Sequence, residues 1–141
     1  MSAPFRIRRP DVGARPVALT PDEGFRFYLD RLLKMIPAEV VSLYLVGSGF
    51  IPADQVTALA GGFVVCLIGL FVIRIYGTAD PAEHLPPDWT HIIISAIAFV
   101  IWVYSLGGPF AAWGLHVPWV GSLIVLAWTF FVPIFYKGPE N

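Results

Sequence analysis

Charge is scarce in this chain. Lys, Arg, Asp and Glu supply 13% of its 141 residues, against roughly 25% in an ordinary soluble domain. The nine basic and ten acidic residues nearly cancel, so overall charge points to neither nucleic acid nor a strongly charged partner. A single cysteine, Cys66, excludes an intrachain disulfide and a cysteine-based zinc cluster. No nucleophile–base arrangement, phosphate-binding glycine loop or haem-attachment pair is visible, so enzymatic chemistry is not expected and no cofactor is implied.

What the chain has instead is apolar length. Hydrophobic residues make up 57% of it, gathered into stretches at about 33–51, 56–76, 90–107 and 117–136. At 1.5 Å per helical residue, each crosses or nearly crosses a hydrocarbon core about 30 Å thick. A soluble bundle would need polar faces on these helices. "GGFVVCLIGLFVI" (61–73) and "SLIVLAWTFFVPIF" (122–135) offer almost none. The expectation is an all-α membrane protein with four transmembrane helices.

The polar flanks complete the outline. Residues 1–19, with Pro4, Pro10, Gly13 and Pro16, read as an extended basic arm. The arm lacks the long apolar run of a signal peptide and is expected to stay in the mature protein. Residues 20–36 read as an amphipathic helix: Phe25, Leu29, Leu32 and Ile36 form an apolar stripe, and Asp22, Arg26, Asp30 and Lys34 form an i, i+4 charge ladder. It is expected at the lipid surface or against a neighbouring subunit. A first hairpin (37–76), a loop (77–89), a second hairpin (90–136) and a short tail (137–141) follow.

Orientation comes from Lys and Arg in short flanks. Seven of the nine lie at or before Lys34, while the loops at 52–55 and 107–116 carry none. Both termini and the 77–89 loop are therefore expected in the cytoplasm, with the chain in a bacterial inner membrane. Tyr76 and Tyr136 would mark that interface, and Trp113 and Trp119 the opposite one.

Shifting the chain by sixty residues pairs "VVSLYLVGSGF" (40–50) with "VIWVYSLGGPF" (100–110), and "LFVIRIY" (70–76) with "FFVPIFY" (130–136). The same register sets "TPDE" (20–23) on "DPAE" (80–83), two helix-start signals. This predicts two tandem hairpins of one orientation, a parallel repeat.

Glu39 stands almost at the start of an apolar stretch, directly behind Ala38 and Pro37. If Pro37 starts a helix, Glu39 stabilises its positive end at headgroup depth. If the helix runs on through Pro37, Glu39 faces the interior or a water-filled path. Its neighbours in that second reading are Ser42 and Arg74, the candidate pore or cytoplasmic-mouth residues. Arg74 is expected to snorkel to the headgroups, with pairing to Glu39 as the alternative. Arg6, Arg8, Arg9, Arg15, Arg26, Arg31 and Lys34 are candidate contacts for lipid or a cytoplasmic protein. Gly47, Ala58, Gly62, Gly107 and Gly121 are candidate helix-packing positions, with Gly69 extending the small surface. Glu83, His84, Asp88 and His91 match no standard metal spacing. His116 reads as a loop residue and Cys66 as a packing residue.

Four short helices enclose little interior, so a homo-oligomer is expected. Two functions follow: an oligomeric pore or transport-type assembly with Glu39 at its mouth, or a non-conducting membrane anchor or assembly subunit docking a cytoplasmic partner through its basic arm. A continuous polar stripe would favour the pore, and beyond Glu39, Ser42 and Ser48 none is present.

Overall fold

The computed structural model describes residues 3–7 and 20–138. Among them all regular structure is helical: α1 (Pro21–Met35), α2 (Ala38–Gly49), α3 (Val56–Thr78), α4 (Trp89–Leu106), the short α5 (Gly108–Ala112) and α6 (Pro118–Phe135). Four helical stretches are long and apolar enough to cross a membrane, as an integral, multi-pass protein requires. Arg8, Arg9 and Arg15 lie outside the described residues.

Each boundary has a local cause. Thr20 and Glu23 close a capping box at the start of α1, the Thr20 hydroxyl accepting from the Glu23 N–H and the Glu23 carboxylate accepting from the Thr20 N–H. Pro37 ends α1, because the residue before a proline is pushed out of the helical region. Ile36 is accordingly extended, with φ −80° and ψ 118°. The helix therefore does not run on through Pro37; α2 begins anew, with Glu39 in its first turn. Asp88 caps α4 by accepting from the His91 N–H at 3.1 Å. Gly107 ends α4 at φ +93°, a conformation that disfavours a side chain.

α2 has 12 residues, roughly 18 Å of helix, which is short of a bilayer core. The apolar stretch long enough to cross joins it to α1 across the Ile36–Pro37 break, Pro21–Gly49. α1 itself rests on α6. Tyr28 Oη donates to the Phe130 carbonyl at 3.1 Å and Arg31 Nε to the Pro133 carbonyl at 2.9 Å. Along the apolar stripe Phe25 and Leu29 are exposed and Leu32 and Ile36 partly buried, while the one buried residue of α1 is Met35.

The chain reverses between successive spans, so the end of α1, the start of α2, the end of α3, the start of α4 and the end of α6 meet at one end, the base. Residues 3–7 form a strap across it. Phe5 N–H donates to the Gly77 carbonyl at 3.0 Å, and the Phe5 ring fills the space that the missing Gly77 side chain leaves. Ile7 lies against Gly138, bringing the two ends of the described chain together.

Val40, Val41, Tyr44, Leu70, Phe99 and Val103 form the core. Phe99 organises it, with Phe63 stacked at 5.7 Å and Tyr44 edge-on at 6.0 Å. The outer faces of α2, α3 and α6 expose large apolar side chains such as Leu43, Val65, Ile68 and Phe130, as a lipid-facing surface would.

The two halves pair α2 with α3 and α4 with α6, yet several positions matched by the sixty-residue shift diverge. Asp80–Glu83 starts no helix; Asp80 and Leu85 instead close a turn through an antiparallel bridge. Gly47 lies inside α2 with open space beside it, whereas Gly107 is a turn residue after α4. Tyr44 is buried, while Tyr104 reaches the Leu115 carbonyl in the α5–α6 connection.

Candidate functional site: a buried polar centre at the base

Most polar chemistry inside the bundle converges on Arg74. Its place near the end of α3 allowed a snorkelling side chain, but Arg74 is fully buried. Position explains this: α3 turns the side chain toward the break between α1 and α2, where helix ends leave carbonyls without partners. Arg74 Nη1 donates to the Lys34 carbonyl at 2.9 Å and Nη2 to the Ile36 carbonyl at 3.4 Å. A cation there also meets the negative end of the α1 dipole.

Glu39 completes the arrangement from the other side of the break. Its Oε1 lies 2.9 Å from Arg74 Nη2, an ion pair with side-chain exposures of 34% for Glu39 and 1% for Arg74. The contact is one of charge rather than a well-angled hydrogen bond, since Oε1 accepts none. Glu39 therefore stands in the first turn of its helix, opposite its positive end, and also pairs with Arg74. The first-turn place and the Arg74 pairing hold together, whereas the place that needed a helix continuous through Pro37 does not arise.

A second layer surrounds this pair. The Phe5 ring lies 4.4 Å from the Arg74 guanidinium carbon, a cation–π contact. His91 Nε2 is 3.0 Å from the Lys34 carbonyl that Arg74 also holds. Because a carbonyl only accepts, Nε2 carries the proton. Thr78 Oγ1 donates to the Arg74 carbonyl at 2.7 Å and accepts from the Asp88 N–H at 3.1 Å. Asp88 also accepts from the Tyr136 hydroxyl, tying α6 to the start of α4. Arg6 turns inward: its Nη1 donates to the Thr78 carbonyl at 3.1 Å and to the Pro86 carbonyl at 2.9 Å. That is a correction to its reading as a partner or lipid contact, for at 7% exposure it is largely enclosed.

The remaining residues singled out from the sequence are scattered. Ser42 is exposed and donates to the Ala38 carbonyl of its own helix at 2.7 Å. Arg26 is exposed, and Arg31 caps the Pro133 carbonyl. Lys34 pairs with Asp30 at 2.9 Å and donates to the Arg6 carbonyl at 3.2 Å. Ala58 is exposed, and Gly62 faces Ile51 within its own hairpin. Gly121 does bring helices close: a Cβ there would lie 2.8 Å from Ser105 Cα. Among the described residues, no three His, Cys, Asp or Glu side chains gather as a metal site.

The sequence reading passed over Ser95, Thr78 and Phe5 and set His91 aside once its metal spacing failed. A usable signal was present. His91 and Ser95 are polar residues four apart within an apolar span, and such residues face the protein interior. Comparisons with family models, curated proteins and solved structures found no match to this chain.

Proposed function

We propose that this chain is a non-conducting membrane assembly subunit, an integral membrane scaffold that presents its base to a cytoplasmic partner. The observation that carries this reading is the Arg74–Glu39 pair. A carboxylate gathering cations at a pore mouth must face water without a fixed counter-charge, whereas Glu39 has a guanidinium 2.9 Å away. The hydroxyls of Ser42 and Ser48 bond within their own helix, to Ala38 and Leu45, the usual arrangement of lipid-facing serines. Glu39, Ser42 and Ser48 thus line up as no common polar path, and Arg74 serves as the counter-charge to Glu39.

In this reading the base faces the cytoplasm of a bacterial inner membrane, with both termini on that side. The docking surface is the exposed charged side of α1, Asp22 and Arg26, together with the Asp80–Pro87 turn. The lipid-facing helices hold the scaffold in the bilayer and provide faces for copies of the same chain.

Reconstitution into liposomes tests the proposal. Wild type and Glu39→Gln should both show the cation leak of protein-free vesicles. A protein-dependent flux that Glu39→Gln abolishes would restore the pore reading. A photo-crosslinker at position 26 or 83 should give a discrete adduct with a second protein in native membranes. Adducts only between copies of this chain would point to self-association instead.

A further inference from the structure

We propose that the polar centre holds one ordered water molecule between Arg74, His91, Ser95 and Glu39. Four buried atoms there make no hydrogen bond: Arg74 Nε, His91 Nδ1, Ser95 Oγ and Glu39 Oε1. Arg74, His91 and Ser95 are each 0% exposed, so bulk water does not satisfy them. Buried polar groups are nearly always bonded to protein or to ordered water, and a buried water typically bonds about three such groups.

Three of the four meet at the α1–α2 break, and helix register sets Ser95 next to them. Arg74 and His91 hold the same Lys34 carbonyl, at 2.9 and 3.0 Å. Ser95 lies one turn beyond His91 on the buried face of α4. Tyr44 meets Phe99 edge-on, and α2 and α4 run in the same direction from the base. Counting one turn back from that contact along both helices brings Val40, and with it Glu39, to the level of Ser95.

Charge and hydrogen-bond capacity select the occupant. Arg74 repels a cation and Glu39 repels an anion, so the site suits a neutral molecule. An apolar one would leave all four atoms without a hydrogen bond. With the His91 ring neutral and Nε2 protonated, Nδ1 is an acceptor. Arg74 Nε–H is then a donor, Glu39 Oε1 an acceptor, and Ser95 Oγ either. Water, accepting from Arg74 and donating to two of the others, matches this set. The inference also accounts for a serine at a fully buried position of an apolar span, where alanine or valine would pack without an orphan. It links the Glu39 carboxylate to the His91 imidazole and does not depend on whether the protein is a scaffold.

Water-edited solid-state NMR on the labelled full-length chain in lipid bilayers tests it. Magnetisation from water should reach the His91 ring and Ser95 several-fold faster than Leu70 and Phe99, which are equally buried. The His91 nitrogen shifts should report the Nε2-protonated tautomer. Ser95→Val, which fills the space with methyl groups, should slow transfer at His91 to the Phe99 rate. Transfer at His91 as slow as at Phe99 in the wild type overturns the proposal, as does unchanged transfer in Ser95→Val. Should Ser95→Val fail to assemble, the wild-type comparison decides alone.

Discussion

Arg74 and Glu39 contribute unequally to the pair they form. Arg74 has no route to solvent, whereas about a third of the Glu39 side chain is exposed. Removing Glu39 leaves a buried cation still held by two carbonyls and the Phe5 ring. Glu39→Gln should therefore destabilise by about 1–3 kcal/mol, the range for leaving a buried polar group short of a partner. Arg74→Ala strips the partners from the Lys34 and Ile36 carbonyls and leaves a cavity, and should cost about 3–5 kcal/mol. The Glu39→Gln/Arg74→Ala double variant should cost less than the sum of the singles, because the partners share one interaction. Unfolding in bicelles measures all three, and strict additivity would show that the pair is not energetically coupled.

At the scale of elements, the α1–α2 break and the α4–α6 contact do different work. The break leaves carbonyls that Arg74 and His91 satisfy, so the base is joined through polar bonds between segments distant in sequence. The α4–α6 contact depends on Gly121, where an added Cβ would stand 2.8 Å from the Ser105 backbone. That neighbour is not a flexible side-chain end, so Gly121→Ala forces the helices apart. An overpacking cost of about 1–3 kcal/mol is expected, visible as a lowered thermal midpoint in detergent. Gly69→Ala is the control, since nothing lies within 4 Å of a Cβ there, and its midpoint should stay close to wild type. The strap gives a third test: Phe5→Ala removes the ring over Arg74 and opens the space beside Gly77. Amide exchange should then rise around residues 74–78 and leave α6 near 121 unchanged.

For the whole molecule the question is which way the bundle stands. Four crossings place the two ends of the described chain together, and the contact between Ile7 and Gly138 agrees. In a Cys66→Ser background, cysteines at Asp22 and Lys137 should be shielded from an impermeant thiol reagent in intact cells. A cysteine at Asp54 should be labelled from outside. Labelling of positions 22 and 137 on opposite faces would rule out four crossings. Exposed Trp113 and Trp119 at one end and exposed Tyr76 and Trp89 at the other suit the two membrane interfaces whichever way the bundle stands.

Hydropathy, proline and glycine are local signals, and what depends on them was legible in the sequence. The helical class, the ends of α3, α4 and α6 within two residues, the Thr20–Glu23 cap and the stop at Pro37 all follow from neighbouring residues. The sixty-residue pattern shows the limit of such signals. It matched hydrophobic residues and turn glycines, but a Pro-Ala-Glu run after Asp80 closes a turn when the chain must reverse within a few residues to enter α4. Where Arg74 points was a tertiary matter. Its partners lie 38 and 40 positions away at Ile36 and Lys34, and only the packing of α3 beside the broken α1–α2 helix brings them within reach. The same holds for Arg6, His91 and Ser95. A sequence shows that a polar residue sits in an apolar segment; the rotation and register of neighbouring helices decide whether it meets lipid, water or another polar group.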